Sequence, residues 1–330
     1  MASREDDVRK PKPKKNSKNI QRDAPFPVPI ATLTGKPANP SRWYHYFGTL
    51  KGDSVVVSGL GDMTFLYKMG FFGKGNLSQS EPQFNKFHNT FDDRSKKQMI
   101  RSGKGKFTSK EKEQREAWFN EIHTERCRQH KEWSSEEKSM EEEVPEKQAK
   151  LEDLYQVDEF LQLSLEEAYF LAFGLGCLTV KDEDEKELPL VEMWRKFCHL
   201  KARFLETYAA YHYFRSLGWV VRDGLIYGSD FLLYKDGMPY YHSSYAVLAY
   251  LVDDDKVGAS LESLPWTWSY LTCMNRVAER VAKEVLIAFV VKPKGLTKKE
   301  LTTPQCLRKL EIQETLLRRW IPEKNRESRK

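Results

Sequence analysis

The longest apolar run of the chain that contains no tyrosine, Val285 to Val291, constrains the fold more than any other feature of the sequence. Its seven residues are far too few to cross a bilayer, which takes about 20 apolar residues in a helix. Pro293 follows almost at once and ends regular structure there. A short apolar run rich in β-branched residues and ended by a proline is typical of a buried strand. The sequence therefore predicts a sheet inside the fold and no membrane partner.

The residues around this strand predict a mixed sheet flanked by helices. Alternating polarity marks three further candidate strands, at Trp219–Val221, Asp230–Tyr234 and Tyr245–Leu251. Apolar residues at helical spacing predict helices over about 190–217, 265–282 and 304–320. The fold class is therefore predicted to be α+β or α/β, with a helix-rich N-terminal region before a C-terminal mixed-sheet domain.

Charge and composition divide the chain into segments. Residues 1–40 hold nine Lys or Arg and four Asp or Glu, so most of the net charge of +6 lies in this predicted disordered basic tail. Residues 91–150 mix runs of both signs and are predicted to be a charged linker or insertion. The other predicted divisions are an N-terminal α+β region at 41–90, its helical continuation at 151–205, the C-terminal domain at 206–322 and a tail at 323–330.

The cysteine content and the N-terminus argue against several classes of protein. The five cysteines are scattered without a CxxC pair, so neither a disulfide framework nor a zinc site is predicted, and no cofactor is expected. Free thiols favour a reducing compartment. The first residues lack the apolar stretch of a secretory signal. A net charge of +6 is compatible with a nucleic-acid partner but too small to identify one.

Three side chains near the predicted hairpin and the buried strand form a candidate catalytic set. Tyr234 and His242 are equidistant from Met238, so a hairpin centred there would make them cross-strand neighbours, with Cβ atoms about 4.5–5.5 Å apart. Lys283 stands where a predicted helix ends and the buried strand begins. Tyrosine, histidine and lysine without a carboxylate pair suit metal-free acid–base chemistry on a phosphate. The alternative for each side chain is a purely structural role.

The stretches of sequence that contain these three residues resemble the catalytic domain of tRNA-splicing endonucleases. The resemblance lies in residues 211–221, 224–234, 241–245 and 282–284, with supporting matches at 70–75, 167–170 and 174–178 and a weaker one at 316–320. It covers about 41–80 and 155–322, and within the family it is strongest to the eukaryotic catalytic subunits of the subunit-two type.

This resemblance implies a catalytic triad of Tyr234, His242 and Lys283. The family cuts precursor tRNA at an intron boundary without a metal, leaving a 2′,3′-cyclic phosphate and a 5′-hydroxyl. His242 would protonate the leaving oxygen, Tyr234 would orient or deprotonate the attacking 2′-hydroxyl, and Lys283 would stabilise charge on the phosphate. A phenol is a poor base unless the Lys283 cation lowers its pKa, and the acid and base roles could be exchanged.

The same resemblance implies further binding residues and partners. Arg276 and Trp320 resemble a cation–π pair that clamps a bulged intron base, and their alternative is a surface arginine and a packed tryptophan. The implied partners are precursor tRNA, a second catalytic subunit and two non-catalytic subunits, in the nucleus.

Two other functions are possible from the sequence. The chain could be a non-catalytic RNA-binding or scaffolding paralogue, although such a protein has no need to keep all three triad residues. It could also be a metal-dependent nuclease that uses Asp253, Asp254 and Asp255 as ligands, where the alternative is a solvated turn.

Overall fold

The structure is a computed structural model that describes residues 11–15, 26–28, 43–78, 82, 159–254 and 267–319. These residues belong to one of the two compact units of the chain. This unit comprises residues 1–82 and 159–330. The predicted linker at 91–150, the tail at 323–330 and Trp320 lie outside the described residues. Within the described ranges, no helix has the length and apolar character that crossing a membrane requires.

A five-stranded sheet forms the basis of the N-terminal half. Its strands are β1 Tyr46–Lys51, β2 Ser54–Val57, β3 Lys74–Gly75, β4 Leu161–Leu163 and β5 Leu178–Lys181. They are ordered β3-β4-β2-β1-β5 across the sheet, and every pair is antiparallel except β1 with β5. The segment predicted as a helical continuation thus also supplies two strands, β4 and β5. Strands of three or four residues are too short to show a clear alternation of polarity.

The helices that the structure describes before the second sheet are α1 Leu60–Lys68, α2 Leu165–Tyr169, α3 Leu190–Leu200 and α4 Phe204–Ser216. The single helix predicted over 190–217 is therefore two helices. Lys201, at the break, has an extended backbone, and its Nζ donates to the buried carboxylate of Glu166 at 2.6 Å. The prediction missed the break because the apolar spacing continues from one helix into the next.

A second five-stranded sheet forms the C-terminal half. Its strands are β6 Trp219–Asp223, β7 Phe231–Lys235, β8 Tyr245–Asp253, β9 Glu284–Lys292 and β10 Glu311–Leu317. They are ordered β10-β9-β8-β7-β6, and only the central pair β8 and β9 is parallel. Helix α5, Trp268–Arg280, lies between β8 and β9 in the chain, and the short helix α6, Lys298–Leu301, follows β9.

The predicted helix over 304–320 is wrong. Residues Pro304–Arg308 form one short 3₁₀ segment, and Glu311–Leu317 is the edge strand β10, paired antiparallel along β9. Its sequence contains two glutamates, one glutamine and two leucines, which have good helix propensity. Pairing with the buried strand β9 outweighs that local preference, as tertiary context often does.

Helices cover both faces of the C-terminal sheet. Val247 and Ala249 of β8 pack in the main core, to which α4 contributes, whereas Leu248 packs with Met274 of α5. Because successive side chains of a strand point to opposite faces, α4 and α5 cover opposite faces of β8. The predicted buried strand Val285–Val291 is confirmed as part of β9, and both of its faces are apolar for this reason.

Two short pieces of the predicted disordered tail have tertiary contacts. The ring of Phe26 lies 5.3 Å from that of Phe72, between centroids, and Val28 is fully buried with its carbonyl accepting from the Tyr44 N–H at 2.8 Å. Residues 11–15 pair with the loop that carries His242. Composition did not indicate these contacts, because composition alone cannot show that a polar segment docks on another part of the chain.

Candidate active site

The strand order brings the candidate catalytic residues to one edge of the C-terminal sheet. Strand β7 ends at this edge, and β8 and β9 both begin there, since Leu233 is opposite Tyr245 and Tyr245 is opposite Glu284. The Glu284 N–H donates to the Ser244 carbonyl at 3.0 Å, which joins the two starting strands. Residues at the end of β7 and just before β8 and β9 are therefore neighbours, although the sequence separates them by up to 50 residues.

Tyr234 and His242 are not the cross-strand neighbours that a symmetric hairpin predicted. Leu233 is opposite Tyr245, and the Ser244 N–H donates to the Leu233 carbonyl at 2.9 Å, so Tyr234 faces the level of Ser244. His242 lies two residues earlier, in the loop between the strands. The prediction failed because it assumed that the loop is symmetric about Met238.

Gly237 holds this loop against the Gly70–Gly75 segment. Its φ of +115° is a conformation that residues with a side chain rarely adopt, and a Cβ here would lie 2.6 Å from Cζ of Phe71. Phe71 itself has a φ of +56°, and its carbonyl accepts from Arg222 Nη1 at 3.0 Å. The sequence analysis gave residues 70–75 only as a match to the family, and the structure shows that this segment contacts the loop of His242.

We expect Gly237→Ala to lower the free energy of unfolding by about 1–3 kcal/mol, because alanine adds a strained backbone and a collision with Phe71. Denaturant unfolding of the purified chain measures the effect. Gly52→Ala is the control, since Gly52 also has a positive φ of +59° but no atom of the described residues within 4 Å of its missing Cβ. Equal losses in the two variants would contradict the contact with Phe71.

His242 and Lys283 line the same cavity, of about 390 Å³. The other lining residues are Lys12, Ser243, Ser244, Arg280, Val281 and Ala282. The lining thus includes two cationic side chains besides Lys283, and none of the described residues that line it is acidic. A cavity with this charge suits an anion such as an RNA phosphate.

The end of helix α5 places Lys283 in the cavity. The Lys283 N–H donates to the Ala278 carbonyl at 2.8 Å, and the Ala282 N–H donates to the Glu279 carbonyl at 3.0 Å. These two bonds form a Schellman motif, with Ala282 at a φ of +57° where glycine is more usual. The motif reverses the chain sharply, so that Lys283 stands directly before β9.

The Lys283 side chain is buried against an aromatic ring. Only 8% of the residue is exposed, and its Nζ lies 4.5 Å from the centroid of the Tyr227 ring. Burial disfavours the charged form and lowers the pKa of Lys283. The ring face stabilises the cation in place of water. Tyr227 was not predicted as a site residue, and the sequence carries no signal for this contact because the turn at Leu225–Tyr227 meets Lys283 only in the folded chain.

Tyr234 is half-buried at the end of β7, and its pKa is raised by burial. A hydrogen bond shared with the Ser243 side chain and the charge of Arg222 act in the opposite direction but do not reverse the shift. Because the pKa of Tyr234 is raised and not lowered, the condition under which its phenol could act as a base is not met. A phenol with a raised pKa keeps its proton at neutral pH, so Tyr234 is suited to donating a hydrogen bond rather than to acting as a base.

His242 differs from the other two residues in its exposure. Its side chain is exposed to solvent at the cavity, and its backbone N–H donates to the Lys12 carbonyl at 3.1 Å. Its main chain is therefore held in place while its ring is free to meet a substrate. An accessible imidazole beside a cation is well placed for proton transfer to a phosphate ester.

A second cavity, of about 520 Å³, lies along the exposed face of helix α5. Arg276 lines it, and Arg280 lines both this cavity and the first one. Trp320, the predicted partner of Arg276, lies outside the described residues, so their pairing stays a prediction. Trp268 is 65% exposed and lines the same cavity; sequence reasoning missed it, although its spacing of eight residues from Arg276 placed both on one helix face.

Asp253 and Asp254, the two aspartates of the metal-dependent alternative that the structure describes, lie far from this site. Asp253 ends the nine-residue strand β8, about 26 Å from its start at about 3.3 Å per residue, and it pairs with Lys292 at 2.7 Å. Asp255 lies outside the described residues. Among the residues that the structure describes, no three His, Cys, Asp or Glu side chains come together as possible metal ligands.

Comparisons with known proteins match both halves of the fold. The family model of the tRNA intron endonuclease catalytic C-terminal domain matches residues 204–297, and that of the N-terminal domain matches residues 144–194. The chain is 35% identical over 169 residues to tRNA-splicing endonuclease subunit Sen2-1 of Arabidopsis thaliana, a match that covers 51% of the chain and 67% of the relative. The chain belongs to the tRNA-splicing endonuclease family.

Other members of the tRNA-splicing endonuclease family extend the match. The chain is 45% identical over 172 residues to subunit Sen2 of Rattus norvegicus, which covers 52% of the chain and 36% of the rat protein. It is 28% identical over 336 residues to the probable subunit sen2 of Schizosaccharomyces pombe, which covers 83% of the chain and 85% of that protein. The chain thus spans little more than a third of the length of the rat relative. The resemblance to this family and to its subunit-two type is confirmed.

Proposed function

We propose that this chain is a catalytic subunit of a tRNA-splicing endonuclease that cleaves precursor tRNA at an intron boundary. The reaction is the metal-independent attack of a 2′-hydroxyl on the adjacent phosphate, which gives a 2′,3′-cyclic phosphate and a 5′-hydroxyl. The observation that carries the proposal is the cavity that an exposed His242 and a buried Lys283 line together, with no acidic residue among the described residues of its lining.

The substrate supplies the nucleophile. The protein must therefore position the reacting groups, protonate the leaving oxygen and stabilise the charge that develops on the phosphate. In the reaction the bond from the 2′-oxygen to phosphorus forms, the bond from phosphorus to the 5′-oxygen breaks, and a proton passes from the 2′-hydroxyl to the departing 5′-oxygen. An in-line arrangement of these two oxygens is what binding in the cavity must impose. Charge on the phosphate oxygens rises in the transition state, where a nearby cation stabilises it most.

The geometry favours one distribution of roles. His242 presents an exposed imidazole at the cavity and protonates the 5′-oxygen. Lys283 is a buried cation with little water around it, so its attraction to the phosphate is screened less than that of a surface lysine. Tyr234, whose pKa is raised by burial, orients the 2′-hydroxyl as a hydrogen-bonding phenol.

We further propose that the chain works in the nucleus beside a second catalytic subunit and two non-catalytic subunits, with Arg276 and Trp320 clamping an intron base. The membership of the family and the exposed position of Arg276 beside the catalytic cavity support this part of the proposal. The basic N-terminal segment is consistent with nuclear import.

End-group analysis of cleaved precursor tRNA tests the proposed reaction. The full-length chain, purified with the subunits that accompany it in cells, should release 5′ fragments that end in a 2′,3′-cyclic phosphate and should cleave equally well in excess chelator. A 3′-hydroxyl end, or activity that chelator removes and added Mg²⁺ restores, would favour the metal-dependent alternative. A purified complex that binds precursor tRNA but leaves it intact would favour the scaffolding paralogue.

A further inference from the structure

We propose that the N-terminal segment 11–15 completes the catalytic cavity, and that Lys12 binds a phosphate of the precursor tRNA next to the one that is cleaved. This inference rests on the proposed function, since it assigns a further substrate-binding residue to the same site. The segment lies more than 220 residues before the loop on which it docks, so no local sequence signal connects the two.

Backbone hydrogen bonds hold the segment on the loop of His242. Pro13 forms an antiparallel bridge with Tyr241, the Lys14 N–H donates to the Tyr240 carbonyl at 2.8 Å, and the His242 N–H donates to the Lys12 carbonyl at 3.1 Å. The two hydrogen bonds lie on either side of the bridge, as in a short antiparallel pair. Residues 12–14 therefore lie alongside the loop as a short antiparallel segment, and Lys12 lies directly opposite His242.

The Lys12 side chain is exposed and lines the cavity together with His242 and Lys283. Lys283 is buried, so it can reach only a phosphate that enters the cavity, whereas an exposed lysine at the rim can meet the next phosphate along the strand. Among the described residues, three cationic side chains line this cavity. This is more positive charge than one phosphate needs for neutralisation, so the cavity favours a stretch of RNA backbone over a single isolated anion.

Ser244 supplies an independent sign that the cavity receives a polar ligand. The residue is 5% exposed and lines the cavity, and within the described ranges its Oγ has no hydrogen-bond partner. A buried hydroxyl without a partner is costly and rare in folded proteins, so each case calls for an explanation. An oxygen of the phosphate that Lys283 binds inside the cavity would accept a hydrogen bond from this hydroxyl.

The test compares Lys12→Ala with Lys15→Ala in the full-length chain, purified with its accompanying subunits, on precursor tRNA. The two changes remove the same charge from the same segment, but Lys15 does not line the cavity. We expect Lys12→Ala to raise KM about five- to tenfold with kcat changed less than twofold. We also expect the slope of log KM against log salt concentration to fall by roughly one. The reason is that the variant loses one phosphate contact and so releases about one counterion fewer on binding. Lys12→Arg should restore KM, and Lys15→Ala should match the unaltered chain.

Equal changes in KM for Lys12→Ala and Lys15→Ala would overturn the inference, because they would show that only the overall charge of the segment matters. A Lys12→Ala variant that loses thermal stability and kcat together would also overturn it in favour of a structural role. If the unaltered complex cleaves normally and Lys12→Ala has the same KM as the unaltered complex, the inference is overturned and the proposed function is not. Failure of the unaltered complex to cleave precursor tRNA overturns the proposed function, and the inference with it.

Discussion

Replacing His242 with alanine is expected to slow cleavage at one of the two intron boundaries by about 10²–10⁴-fold, the usual contribution of a general acid or base. The fold should be unaffected, because the His242 ring is exposed and its main-chain hydrogen bond to Lys12 does not need the side chain. Single-turnover cleavage of precursor tRNA by the complex measures the effect at each boundary separately.

His199→Ala is the matched control for this prediction. His199 is also exposed, but it lies near the end of helix α3 and does not line the catalytic cavity. The control should leave both cuts at the normal rate. Normal cleavage at both boundaries by a complex that carries His242→Ala would refute the role of His242.

Replacing Lys283 with alanine is the second large effect that we expect, a loss of about 10²–10³-fold in kcat, comparable to that of removing one group that stabilises transition-state charge. Stability should change little, because the variant loses the cation–π contact with Tyr227 but no longer has to bury an ammonium group. Lys186→Ala, in the exposed loop after β5, controls for the loss of one positive charge.

The pH dependence of the rate provides a sharper test of Lys283. Because burial lowers its pKa below the usual value of about 10.4, the cation is lost at a lower pH than on a surface lysine. The rate should therefore fall as the pH rises through this lowered pKa. Lys283→Arg stays charged throughout, so its residual activity should lack that alkaline decline. An identical decline in the arginine variant would assign it to another group.

Most of the C-terminal sheet could be predicted from local patterns. Strands β6 to β9 were predicted at nearly their observed positions, since alternating or continuous apolar residues directly reflect the faces that they bury. β10 was predicted as a helix because its side chains favour a helix and only its pairing with β9 makes it a strand. The prediction missed short strands such as β4 for a related reason: three residues are too few to show an alternation of polarity.

The candidate site was predictable in part. Tyr234, His242 and Lys283 could be selected from their residue types and the family resemblance, and the structure places His242 and Lys283 in one cavity. Three features of the site could not be predicted: the register that separates Tyr234 from His242, the ring of Tyr227 against the Lys283 side chain, and the raised pKa of Tyr234. Each of these depends on contacts between elements that are distant in the chain.

The sequence by itself determined the buried strand at the centre of the C-terminal sheet and the fold class, because burial periodicity is a local property of the chain. It also indicated the three candidate catalytic residues, through their residue types and the family resemblance. Only the tertiary structure decided that β7, β8 and β9 meet at one edge, and that Lys12 from a basic N-terminal segment docks beside His242. The physical reason is that hydrogen bonds and charges from remote segments combine only when the chain is folded, so a pattern can show which residues are buried but not which partners they meet there.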